Sequence, residues 1–261
     1  MRGWRSWLAL ILALLIIGTF LFSPPWNVLG KTRIIGYAVC HQIPQRSFHI
    51  QGEQLPLCAR CSGTFLGGLT GFVVLTALRR RRAGGLPAVP ILVVLVAFIV
   101  TMGVDGLNSY LTFFPGMPHA YEPQNWLRLT TGMLNGVALS IIVYPVLNYS
   151  LWRDTNEEPV LKSFLELGLI LLVAGTIGVL AYLELSPLLY PLSLASALGV
   201  LVMLGALNTM IVLAVLGREG TAVHWRQAVL PLLIGLAVAF VEIGAIDLLR
   251  AYLTKAAGLP F

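Results

Sequence analysis

The chain has 261 residues, 57% hydrophobic and only 11% charged, with a formal net charge of +6. A soluble domain carries about 25% charged residues, so there is too little polar surface here to coat a water-facing globule, and lipid must replace water around most of it. The positive excess is not a nucleic-acid signal. Four of the basic residues form one run, Arg79 to Arg82, at the end of an apolar segment, where a topology determinant belongs, and no stretch interleaves aromatic with basic residues.

Taken in order, residues 4–22 are about the length needed to cross ~30 Å of hydrocarbon. Arg2 and Arg5 lie at the start, and Ser23-Pro24-Pro25-Trp26 follows with no small-residue cleavage site, so an uncleaved first helix is expected. Residues 23–60 form a polar connection, in which 33–39 reads as a short interfacial helix. The second helix covers 62–78, with Gly63, Gly67 and Gly71 spaced by four. That spacing puts small residues on one face and permits close helix approach. Further helices are expected over 87–110, 126–149, 163–183, 192–216 and 228–252. The expected fold class is therefore all-α, a polytopic transmembrane bundle of about seven helices. Residues 1–150 would form a core of four helices and the polar loop, and 151–261 three further spans.

Charge gives the orientation. With the N-terminus inside, Arg2, Arg5, Arg79 to Arg82, Arg153, Lys162, Arg218 and Arg226 face the cytoplasm, against seven basic residues outside. The rule that basic loops stay inside then predicts N-terminus in and C-terminus out, in the cell membrane. The polar loop faces outward.

That loop carries the chemistry. Cys40, Cys58 and Cys61 are the only cysteines, and His41 adjoins the first. Three thiolates and one imidazole match a tetrahedral zinc site, with copper or iron–sulfur as alternative soft-ligand partners. Adjacent Cys40 and His41 diverge along the chain, so His49, His119 or a carboxylate is an alternative fourth ligand. An odd cysteine count weighs against a purely disulfide reading. Thiol redox chemistry at Cys58 and Cys61 and simple packing of buried cysteines remain open. Cys61 sits at a helix start, where the dipole favours a thiolate. Ser62 follows Cys61 where haem attachment needs histidine. No P-loop, G-x-S-x-G or H-E-x-x-H is present, and no nucleotide cofactor is expected.

A second group falls on the same side: Arg46, Arg60, Asp105, Asn108, Asn125 and Arg128. Arg46 and Arg60 can offset thiolate charge or bind an anion. Asp105 and Arg128 are expected to pair between the third and fourth helices, and Asp247 with Arg250 three residues on. Ionisable residues within spans are costly and mark function by default, although structural pairs also account for them.

The pattern Cys40-His41-Gln42-x-Pro44-x-Arg46-Ser47-Phe48, then Pro56-x-Cys58-Ala59-Arg60-Cys61-Ser62-Gly63, resembles a bacterial and archaeal integral-membrane family catalogued as domain of unknown function 2085. Asp105-Gly106 and Asn125-x-x-Arg128-x-x-Thr131-Gly132 are similar to its second block. The resemblance covers roughly residues 35 to 140 and implies a membrane location without supplying an activity. Expected partners are the lipid bilayer and other membrane proteins, with no nucleic acid. Metal binding or transport, a thiol–disulfide oxidoreductase, and an accessory subunit of a larger membrane complex are the three functional expectations.

Overall fold

The computed structural model describes residues 3–114 and 116–257, without the side chains of Arg5 and Ala257. Arg2, one of the expected inner-side charges, lies outside the described residues. Eight α-helices run through the described residues: α1 (Trp4–Phe22), α2 (Val28–Val39), α3 (Ala59–Ala77), α4 (Val89–Leu111), α5 (Asn125–Leu151), α6 (Phe164–Tyr182), α7 (Leu189–Val215) and α8 (Trp225–Ala257). The chain is all-α apart from two small strand pairs. Five helices, α4 to α8, are long and apolar enough to cross a membrane. Their outer faces are bare hydrocarbon, with Leu165, Val215 and Leu248 each at least 74% exposed, as a lipid-facing surface requires. The described part of α1 is a shorter apolar helix. α3 is diluted by glycine, serine and threonine and turns much of its surface to other helices.

Helix ends follow local chemistry. Asn27 caps α2, its side chain accepting the Gly30 N–H at 2.6 Å, so this helix starts earlier than the expected residue 33. Cys58 is the extended N-cap of α3, which therefore begins three residues before the expected start and takes in Arg60 and Cys61. Ser163 caps α6 by accepting the Glu166 N–H.

The centre of the fold is the α3–α5 seam. Gly63 and Gly67 lie against the backbone at Leu129 and Met133, and reciprocally Gly132 and Gly136 lie against Arg60 and Thr64, with no room for a Cβ at any of the four. The expectation of close approach on the α3 glycine face is met, and its partner is α5. Helices α4, α6 and α7 surround this pair, while α8 packs on α7 and α1 on α8.

The far end of α3 is tied by polar contacts the sequence did not announce. Strand β3 (Ala83–Gly85) pairs in parallel with β4 (Asn156–Pro159). Asn148 Nδ2 donates to the carbonyls of Arg80 and Ala83, both at 2.9 Å. Arg80 pairs with Glu166, and Arg82 with Asp154 at 3.6 Å. The arginine run is thus partly committed to structure.

Candidate metal centre and its arginine cluster

The loop between α2 and α3 brings the cysteines together by folding back on itself. Strands β1 (His49–Ile50) and β2 (Glu53–Gln54) form a short antiparallel hairpin. Gln42 then holds the two ends of the loop. Its Nε2 donates to Pro56 O at 2.7 Å and Arg33 O at 3.0 Å, and its carbonyl accepts Gln54 Nε2 at 2.8 Å. Gln42 adopts φ 51°, a conformation with positive φ that most side chains avoid. Its own N–H reaches the Cys40 sulfur at 3.4 Å, and the Cys58 N–H reaches the same sulfur at 3.2 Å.

All three cysteines are free thiols, and their sulfurs lie within 4.8 Å of one another. Three sulfurs around a tetrahedral ion at ~2.3 Å stand about 3.8 Å apart, so small rotamer changes suffice to close on one centre. The donor set fits a soft or borderline metal rather than magnesium or calcium. The Cys58 thiol is held well below the ordinary range, chiefly by the hydrogen bond from Cys40 and then by that from Cys61. Cys40 is pushed up to about 11, first by its hydrogen bond to Cys58. Within the cluster Cys58 is thus the thiol most readily ionised, with its neighbours as donors, as expected at a helix start.

His41 stands differently. Its Nδ1 accepts the Ile43 N–H at 3.1 Å. A neutral imidazole whose Nδ1 lone pair is used carries its proton on Nε2 and acts there as a donor. The ring is a hydrogen-bond partner of Cys58, but it lies outside the set of atoms close enough to share an ion. Neither His49 nor His119 joins that set among the described residues. The His49 N–H donates to Glu184 at 3.1 Å, and His119 pairs with Glu122 at 2.8 Å on the surface.

The second group assembles beside the thiols, with one exchange of partners. Asp105, only 1% exposed, pairs with Arg60 rather than with Arg128. The Arg60 position on the first turn of α3 points its side chain at α4, whereas Arg128 turns to Asn125, donating to Oδ1 at 2.9 Å. Asp105 also accepts Tyr121 OH at 2.9 Å and Thr131 Oγ1 at 3.3 Å. Asn108 clamps the loop after α4, donating to Tyr121 O and accepting the Ala120 N–H. Arg46 donates to Ser109 O at 3.2 Å, and its guanidinium stacks 3.9 Å from the Phe113 ring centroid. Burial, and then the charge of Arg60, hold the Arg46 pKa below its ordinary value. Ser109 and Tyr121 are members of this cluster that sequence reading missed, because neither belongs to a residue class that signals a site by itself.

In α8, the expected Asp247–Arg250 pair does not close to an ion pair, although the guanidinium acts on the carboxylate from a distance. Arg250 donates instead to the carbonyls of Tyr37 and Cys40, so it braces α2 just before the thiols. One buried carboxylate oxygen of Asp247 has no hydrogen-bond partner. Glu242 accepts Asn208 Nδ2 at 2.7 Å.

Comparison with known proteins places the cysteine loop in a recurring sequence block. Residues 40–142 match the family model described as a predicted membrane protein (DUF2085), so the resemblance read from the cysteine block holds over that segment. An uncharacterized protein of Methanocaldococcus jannaschii is 29% identical over 154 residues, 54% of this chain and 92% of that protein. An uncharacterized protein of Methanothermobacter thermautotrophicus is 28% identical over 104 residues, 40% of this chain and 83% of the relative. Both relatives are archaeal. No solved structure matches.

Proposed function

We propose that this chain is a multi-pass cell-membrane protein that binds a transition metal of the zinc class through Cys40, Cys58 and Cys61, on its extracytoplasmic side. The observation that carries the reading is the meeting of three free, largely buried sulfurs from two separate stretches of chain. Three protein ligands with a fourth position left to water or substrate is the pattern of an exchanging or catalytic zinc site, and closed structural sites use four. The N–H groups of Gln42 and Cys58 on the Cys40 sulfur fit the outer hydrogen bonding that orients metal ligands. His41 acts in this reading as an N–H donor to Cys58.

The membrane arrangement we infer has seven spans, α1 and α3 to α8, with the N-terminus inside and the C-terminus outside. The basic run after α3 supports that orientation. Helices α1 to α5 and their loop form the binding core, and α6 to α8 support it from the side. Metal analysis of the purified protein tests the centre. One equivalent of metal per chain, lost in Cys58→Ser and Cys61→Ser, is the expected result. Metal-free protein sinks the proposal, and a mass change of two hydrogens on oxidation would then favour thiol–disulfide exchange through Cys58 and Cys61.

A further inference from the structure

Three guanidinium groups meet beside the thiols with a single carboxylate among them. Arg46 and Arg60 share Ser109, the first donating to its carbonyl at 3.2 Å and the second to its hydroxyl at 2.9 Å. Arg128 joins them through Asn125, whose Nδ2 faces the carbonyls of Gln45 and Ser47 on either side of Arg46. Arg128 is within electrostatic reach of Arg46, Arg60, Asp105 and Cys58. The carboxylate, Asp105, is taken by Arg60. Among the described residues, neither Arg46 nor Arg128 has an ion-pair partner, and Arg128, only 6% exposed, leaves its buried Nε without an acceptor.

A buried cation without a partner is costly. The thiols do not remove the excess. Three thiolates with a divalent ion carry one negative charge, and one positive charge of the cluster is still unmatched. With a single thiolate and no metal the excess is the same. Guanidinium forks match oxyanions in geometry as well as charge. Arg46 is more accessible than Arg128, half-buried and stacked on the exposed Phe113 ring, beside the aromatic end of α4, where Tyr110 packs on Phe113 and Phe114. Aromatic clusters of this kind sit at headgroup level.

We propose that Arg46 and Arg128, backed by Arg60, form an anion site beside the thiol triad that takes a phosphate-class oxyanion, either free or as the headgroup of an anionic lipid. The site stands whether or not the thiols hold metal.

The full-length protein in phosphatidylcholine nanodiscs is titrated with radiolabelled inorganic phosphate. In a second arm it is placed in discs containing phosphatidylglycerol, and the lipid retained per chain after exchange is counted by mass spectrometry. One saturable anion per chain in either arm is expected, weakened about tenfold or more in Arg46→Gln and Arg128→Gln, as loss of a charged hydrogen bond predicts, and unchanged in Arg81→Gln. Phosphate binding alone identifies a free anion, and retained phosphatidylglycerol alone identifies the headgroup. Arg46→Lys, which keeps charge but loses the fork, recovers part of the affinity. If Arg128→Gln does not fold, Arg46→Gln at the loop surface decides. No saturable binding in either arm, or equal binding in the arginine variants, overturns the proposal. Metal content of the same preparations separates the two readings: metal without the anion sinks this one alone, and the anion without metal sinks the metal centre alone.

Discussion

Arg60 and Asp105 form the ion pair that fixes the first turn of α3 to the C-terminal third of α4. The Arg60 Nε donates to Asp105 Oδ2 at 3.1 Å, and Nη2 reaches the same oxygen and the Asp105 carbonyl. Cys61 is the next residue after Arg60, so the pair also fixes the rotation of the helix that carries a metal-ligand candidate. Tyr121 and Thr131 satisfy the remaining acceptor capacity of the carboxylate, which is what makes burial of the charge tolerable.

Breaking one side of this pair leaves an unmatched charge in a low-dielectric place. Arg60→Gln and Asp105→Asn are each expected to destabilise the protein by about 3–5 kcal/mol. The double variant should lose much less than the sum, since the groups are in direct contact. Thermal unfolding in detergent, read as a double-mutant cycle, checks this. Additive losses would mean the pair contributes nothing as a pair.

The α3–α5 seam gives a sharper contrast. A side chain at Gly132 meets the Arg60 carbonyl, whereas one at Gly103, on the outer face of α4, meets nothing within 4 Å. Gly132→Val should lower the melting temperature strongly, because overpacking costs roughly 1–3 kcal/mol or more where backbone blocks the space. Gly103→Ala should be neutral or stabilising by up to ~1 kcal/mol through helix propensity. Equal behaviour of the two variants would remove the seam from the centre of the fold.

The pattern of long apolar runs made the helices legible, and the fourfold spacing of Gly63, Gly67 and Gly71 announced a close approach without naming α5 as the partner. The cysteine cluster was legible for a related reason: three thiols in one polar stretch of an apolar chain have few other uses. The choice of Arg60 over Arg128 as the partner of Asp105 was not legible. It depends on the rotation of α3, which the glycine seam sets in three dimensions. Arg250 likewise turned from its helical neighbour Asp247 to the carbonyls at the end of α2, because helix-end carbonyls left without an intrahelical partner attract a cation. Helical spacing alone carries no information about such an end.

In the proposed metal centre, the hydrogen bond from Ile43 N–H to His41 Nδ1 gives the histidine a different role from the three cysteines. Cys40→Ser, Cys58→Ser and Cys61→Ser are each expected to abolish stoichiometric metal. His41→Ala should keep one metal per chain with affinity reduced about 10–100-fold, the usual cost of losing an outer-shell partner. Metal content and competition with a chelator measure both. Complete loss of metal in His41→Ala would make His41 the fourth ligand and require its ring to release Ile43.

Orientation is tested by where a new thiol can be reached. The native cysteines lie buried or half-buried, so they offer little background to a bulky, impermeant maleimide. Gln51 lies at the exposed tip of the β1–β2 hairpin, beside the metal-candidate loop, and Glu219 is exposed in the turn between α7 and α8. With the N-terminus inside and seven spans, these two positions fall on opposite sides of the membrane. Gln51→Cys should label in intact cells, and Glu219→Cys only after the membrane is opened. Both substitutions replace exposed side chains, so little change in stability is expected, and a missing signal in intact cells is checked against labelling in detergent. Labelling of Glu219→Cys but not Gln51→Cys in intact cells would invert the protein. The thiol and arginine sites would then face the reducing cytoplasm, where disulfide chemistry is disfavoured and thiolate–metal binding is the more stable use of the three cysteines.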